Sequence, residues 1–145
     1  MKLEKPGRSA WLVIAAAIVG CGGSSHPLAP VAGQIMLDGQ PLAGATVTFQ
    51  PIGEGMQRGD AGSGSFGKTD EQGRYQLETV LGGAAGAVVG PHAVTISRVE
   101  SSSTQSDSGE GVRDVVPEKF RDGSLRFDVP AEGTDQANFD VSSAS

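Results

Sequence analysis

The sequence predicts an all-β protein, a seven-stranded sandwich of two sheets with Greek-key connections, and three observations predict it. Several short runs carry apolar residues on alternate positions, which gives a strand one face for a core and one for water. The 145 residues include 22 Gly and 8 Pro with only 5% aromatics, a mix that suits short strands joined by many turns and disfavours a helical bundle. Turn chemistry separates the runs at Asp38-Gly39, Gly73, Asp122-Gly123 and Pro130-Ala131-Glu132-Gly133. Antiparallel strands with one apolar face each close most economically as two sheets packed face to face.

The first element is a leader, residues 1–20. Lys2, Lys5 and Arg8 form a positive n-region, and Ala10 to Val19 is an uninterrupted apolar stretch of the length that a secretory signal needs. It is shorter than the roughly 20 apolar residues of a membrane-spanning helix. Ile18-Val19-Gly20-Cys21 then resembles the bacterial lipobox. That resemblance implies cleavage between Gly20 and Cys21, with the new N-terminal cysteine carrying a diacylglycerol thioether and further acyl chains such as palmitate. Cys21 is the single cysteine, so a disulfide within the chain is impossible, and acylation accounts for its position better than a free thiol does. Two or three acyl chains, at about 0.8 kcal/mol per buried methylene, make a stable anchor. Gly22 is not the Asp that in such lipoproteins favours inner-membrane retention. The resemblance therefore implies the outer membrane, facing the periplasm.

Residues 21–30 read as a flexible Gly/Ser/Pro tether, and His26 within it has no second His, Cys or acid cluster nearby to make a metal site. The domain proper is 31–145. It opens with Val31 to Pro51, read as one hairpin: Val31, Ile35 and Leu37 alternate before the Asp38-Gly39 turn, and Ala45, Val47 and Phe49 alternate after it. Ile52 to Gly67 reads as a long loop. Its Gly62-Ser63-Gly64-Ser65-Phe66-Gly67 fits G-x-G-x-x-G but neither follows a strand nor opens a helix, and Arg58-Gly59-Asp60 is a three-residue match of the kind chance supplies. Asp70 is placed to cap a type I turn that Gly73 closes, leading to a strand with Tyr75 and Leu77 inward and Arg74, Gln76 and Glu78 outward. Asp70 and Glu71 lack the spaced acids of a calcium loop, so turn capping outranks metal binding.

Thr79 to Pro91 reads as a Gly/Ala-rich loop, and His92 to Val99 as a strand on which His92 shares the parity of Val94 and Ile96. With no Ser, Cys or acid motif beside it, His92 is a strand-end polar residue more readily than a general base. Ser101 to Gly111 is a Ser-rich insertion with too little apolar area to order itself. Pro117 opens an extended or single-turn segment in which Phe120 is the expected anchor. Leu125 to Val129 and Ala137 to Val141 then alternate as the last two strands.

Charge narrows the function. The chain carries 11 Lys+Arg against 17 Asp+Glu, and without the leader 8 against 16, a net charge near −8. Nucleic-acid binding rests on clustered cations, and no such cluster is present. No cofactor or metal site is expected, and the catalytic set is empty.

The residues also carry a family resemblance. Gly33-Gln34-Ile35, Asp38 to Val47, Thr69 to Tyr75 and Gly90 to Ile96 together resemble the carboxypeptidase regulatory-like, or transthyretin-like, domain. Val116 to Phe120 and the last two strands further resemble small bacterial lipoproteins that carry such a domain alone. The resemblance implies a prealbumin-like sandwich and, for its function, a non-enzymatic envelope role, structural or binding a protein or glycan. A hydrolase or a carrier of a hydrophobic ligand on the same fold is the alternative. The hydroxyisourate hydrolases of this fold end in Tyr-Arg-Gly-Ser, whereas this chain ends Val141-Ser142-Ser143-Ala144-Ser145.

Overall fold

The computed structural model describes residues 26–53, 62–101 and 112–144. These are all-β apart from one turn of 3-10 helix. The strands are β1 (Leu28–Ala29), β2 (Ala32–Leu37), β3 (Gln40–Pro41), β4 (Thr46–Pro51), β5 (Ser65–Lys68), β6 (Arg74–Gln76) and β7 (Glu78–Thr79). They continue as β8 (Ala87–Val88), β9 (Gly90–Ser97), β10 (Val99–Ser101), β11 (Val112–Asp114), β12 (Leu125–Val129) and β13 (Phe139–Val141), with the 3-10 turn at Glu118–Phe120. One sheet has the order β12-β9-β4-β5-β7; the other sets β13, β3 and β6 around β2. β1 with β8 and β10 with β11 form two-stranded ladders.

The two larger sheets share one core, a sandwich-like arrangement. Ile35, Tyr75 and Val141 from one sheet are buried with Val47, Phe49, Val94, Ile96 and Val129 from the other. Rings meet across the gap: Phe49 of β4 and Phe127 of β12 lie 6.2 and 6.0 Å from Phe139 of β13. The predicted alternation holds along these strands, with residues 31 and 35, 45, 47 and 49, 75 and 77, and 92, 94 and 96 all buried and Leu37 half-buried against the core.

Partners depart from the sequence expectation where faces do not. The Val31–Pro51 stretch is not one hairpin. Asp38 and Gly39 do make the tight turn, with φ of 49° and 82°, but it joins β2 only to the two residues of β3. Gly44, at φ 70°, then turns the chain away, and Thr69 ties down the crossing, accepting from the Ala45 amide at 2.8 Å and donating to the Leu42 carbonyl at 2.6 Å. β4 emerges in the opposite sheet between β5 and β9. β13 likewise runs parallel to β2, not antiparallel.

Three segments read as loop or tether contain strands. Leu28–Ala29, inside the expected 21–30 tether, pairs with Val88 and Ala87, and Ala29 is buried. Ala87–Val88 thereby leaves the expected 79–91 loop. Ser65–Lys68 overlaps the expected 52–67 loop and pairs with β4 and β7. Its Gly67 is inward, and a Cβ there would lie 2.4 Å from the Gln76 carbonyl oxygen, so this glycine serves close backbone approach inside a strand. Phe120 in the 3-10 turn is half-buried and packs against the core, and Val116, just before the turn, is fully buried beside it.

Candidate functional site

The residue register across β2 and β6 builds a broad polar concavity. Ala32 stands opposite Gln76, Gly33 opposite Tyr75 and Gln34 opposite Arg74. Tyr75 points inward and donates its hydroxyl to the Ala137 carbonyl at 2.7 Å, so burial pushes its phenol well above the ordinary range. A Cβ on Gly33 would fall 1.9 Å from that same carbonyl oxygen, so glycine is what lets the 134–138 segment lie against β2. Gln34 and Arg74, on the opposite parity, are side by side on the outward face.

The result is an open groove of about 740 Å³ whose rim includes Gln34, Lys68, Asp70, Arg74, Asp135 and Asn138. It runs into a second concavity of about 460 Å³ with which it shares Ala32, Gln76 and Asp135, and whose further wall includes Pro30, Leu77 and Ala85. Part of the polar rim is already committed. The Gln34 amide N–H donates to Asn138 Oδ1 at 2.9 Å and its side chain donates to the Gln72 carbonyl at 2.7 Å. Asp70 Oδ1 accepts from the amides of Gln72 and Arg74 at 2.9 and 3.0 Å, and Gly73, at φ 73°, closes the turn. Asp70 thus caps its turn as the sequence implies. Among the described residues the ion pairs are Arg98 with Glu100 and Arg121 with Asp114, so Lys68 and Arg74 present their cations to solvent in the groove of an acidic chain.

The remaining sequence candidates lie elsewhere. Gly20 and Cys21 fall outside the described residues, as do Arg58-Gly59-Asp60. Asp38 and Gly39 form their turn at the pole remote from β1, where the Asp38 carboxylate accepts from the Ser143 hydroxyl and amide at 2.5 and 2.9 Å. Those two donors hold its acidity below the usual carboxylate range.

His92 is 1% exposed on β9, 5.7 Å from the Phe49 ring. Its Nδ1 lies 2.9 Å from the Gly90 carbonyl, which can only accept, so Nδ1 carries the proton. Its Nε2 and the Ser65 hydroxyl are buried without partners among the described residues. Burial lowers the His92 pKa, against an upward pull from the Gly90 carbonyl and Asp128. This ring is a packed, neutral imidazole. Among the described residues no three His, Cys, Asp or Glu side chains gather to hold a metal ion, and no helix is long and apolar enough to cross a membrane.

Sequence reasoning missed the groove. The outward parity of Gln34, Arg74 and Gln76 was readable; the pairing of β6 with β2 that sets them side by side was not.

No family model matches the chain, and no curated protein matches it. Among solved structures, it is similar to a 9R-lipoxygenase from Cyanothece PCC8801 at a TM-score of 0.37 and 13% identity, over 80% of this chain and 16% of that one. A likeness that slight defines neither fold nor activity.

Proposed function

We propose that the chain is a lipid-anchored cell-envelope protein whose β-sandwich is a binding module, with the β2–β6 groove as its binding face. The observation that carries the reading is the groove itself: two cations, Lys68 and Arg74, without an ion-pair partner among the described residues, beside side-chain amides and carboxylates on an open sheet face. In a chain with 17 acidic residues against 11 basic ones, such a pairing of cations suits a ligand that bears carboxylate and hydroxyl or amide groups, an envelope glycan or an extended protein segment. The anchor reading rests on the leader and Cys21, and it implies signal-peptide cleavage and an outer-membrane site facing the periplasm. The seven-stranded Greek-key order of a transthyretin-like domain is the architecture we assign within the all-β fold. It is supported by the turn motifs at Asp38-Gly39 and Asp70–Gly73.

A non-enzymatic role fits the state of His92, the one imidazole in the core, whose Nε2 is buried away from solvent. A ligand carrier would need room between the sheets, where Phe49, Phe127 and Phe139 stand 5.6 to 6.2 Å from one another.

Titration of the isotope-labelled protein with soluble peptidoglycan fragments and with acidic oligosaccharides tests the groove. Amide shifts clustered on 32–34, 68–76 and 134–138, lost in a Lys68→Ala/Arg74→Ala variant that keeps its thermal stability, are the expected result. Binding undiminished in that variant overturns the groove assignment.

A further inference from the structure

We propose that the pole of the domain at which the chain enters rests on the lipid surface through Leu28, Phe66, Val80 and Leu81. This inference rests on the Cys21 anchor. Leu81 is 76% exposed, Val80 57%, Leu28 42% and Phe66 37%, a concentration of large apolar side chains that the core leaves unused. They are brought together by the ladder. Phe66 stands opposite Glu78 in the β5–β7 pair, and two steps on, the Val80 amide donates to the Gly64 carbonyl at 2.9 Å. Phe66 and Val80 are therefore diagonal neighbours on the outward face.

Leu81 follows at the tip, its amide donating to Ser63 Oγ. The same short segment reaches the N-terminal strand, because a Cβ on Gly62 would fall 2.9 Å from Val88 Cγ2 and 3.2 Å from the His26 ring, and Val88 is the ladder partner of Leu28.

Chain length selects the occupant. Six residues separate Cys21 from Leu28, seven Cα-to-Cα steps that extended span at most about 25 Å. An acylated Cys21 therefore keeps this pole within that distance of the bilayer. Attachment is by apolar contact. Glu78 lies within the patch and the domain is acidic overall, so anionic headgroups would repel it and a neutral bilayer is the surface it fits. The other exposed apolar pair, Val99 and Val112, sits on the β10–β11 ladder at the opposite pole, beyond Ser97.

The sequence offers a clean readout. Its single tryptophan, Trp11, lies in the leader, so the cleaved chain has none and an introduced Trp reports alone. Leu81→Trp, Ser63→Trp (which keeps all four apolar side chains) and, as control, Val112→Trp are each expressed as the full chain, purified from membranes, and reconstituted into phosphatidylcholine vesicles with or without brominated acyl chains. Intact mass is recorded on each sample.

The expected result is a blue-shifted emission that brominated lipid quenches at positions 81 and 63 and not at 112. Equal quenching at all three positions, or none at 81 and 63, in a chain whose mass shows lipid on Cys21 overturns the docking and leaves the anchor standing. A concentration-dependent blue shift at 81 without vesicles assigns the patch to a second copy and overturns it as well. A mass without lipid on Cys21 overturns both.

Discussion

Single residues fix the turns and the one buried imidazole, and two predictions belong there. Gly73 sits at φ 73°, and a Cβ on it would approach the Ile35 carbonyl oxygen to 2.5 Å. Gly73→Val combines an unfavourable positive φ with that clash, and a loss of about 1–3 kcal/mol in urea unfolding is the expected outcome. An unchanged midpoint would contradict the turn geometry. For His92 the folded pKa lies below the ordinary value, so on acidification the unfolded chain takes up a proton before the folded one does. Its contribution to stability is complete above about pH 6.5 and is lost as pH falls below that value. The melting temperature should therefore drop between pH 7 and 5, and His92→Gln, whose amide can still donate to the Gly90 carbonyl, should flatten the drop. An equal drop in the variant would assign the effect to other groups.

At this scale the sequence was most legible. Asp38-Gly39, Asp70, Gly73 and Gly123 all occupy the conformations that their residue types favour, because a turn is decided by neighbours within four positions.

At the scale of elements, faces were legible and partners were not. A period of two says which side of a strand is buried but nothing about the strand beside it. Thus β4 was correctly faced and wrongly paired, and the parallel β2–β13 contact left no local signal. Glycine misled for a related reason. Gly67 and Gly86 read as loop composition, yet each, like Gly33 within its strand, lies where another backbone passes too close for a Cβ, 1.9 to 2.4 Å from a carbonyl oxygen of Gln76, Ala29 or Ala137. Close approach of non-local segments is a tertiary fact, invisible in a window of sequence.

The segment from β11 to the 3-10 turn depends on Asp114. Its carboxylate accepts from Ser97 Oγ at 2.6 Å and from the amides of Val116 and Arg98 at 2.8 and 3.1 Å. Burial alone would raise its pKa, but these donors and Arg121 outweigh it, and the net shift is downward. Its stabilisation is therefore present above the ordinary carboxylate value of about 3.9 and is lost as pH falls through the lower folded value. Asp114→Ala should cost about 1.5–3 kcal/mol, the range for hydrogen bonds to a charged group. Amide exchange should accelerate most at residues 112–120. Acceleration spread evenly over the chain would show that the carboxylate is no local clasp.

At the scale of the whole molecule, the described residues form a sheet pair with an aromatic centre and an outward polar groove, and the proposed Cys21 anchor would precede them. The central claim is that Cys21 tethers this domain to an envelope membrane. That tether would place the Leu28–Leu81 pole towards lipid and leave the β2–β6 groove open to ligands. Intact-mass analysis of the protein extracted from the membrane fraction, beside a Cys21→Ala variant, tests it most directly. The account predicts a wild-type chain that begins at Cys21 and carries a diacylglycerol adduct, with the variant uncleaved at that site and unlipidated. A soluble wild-type chain with an unmodified Cys21 would contradict it.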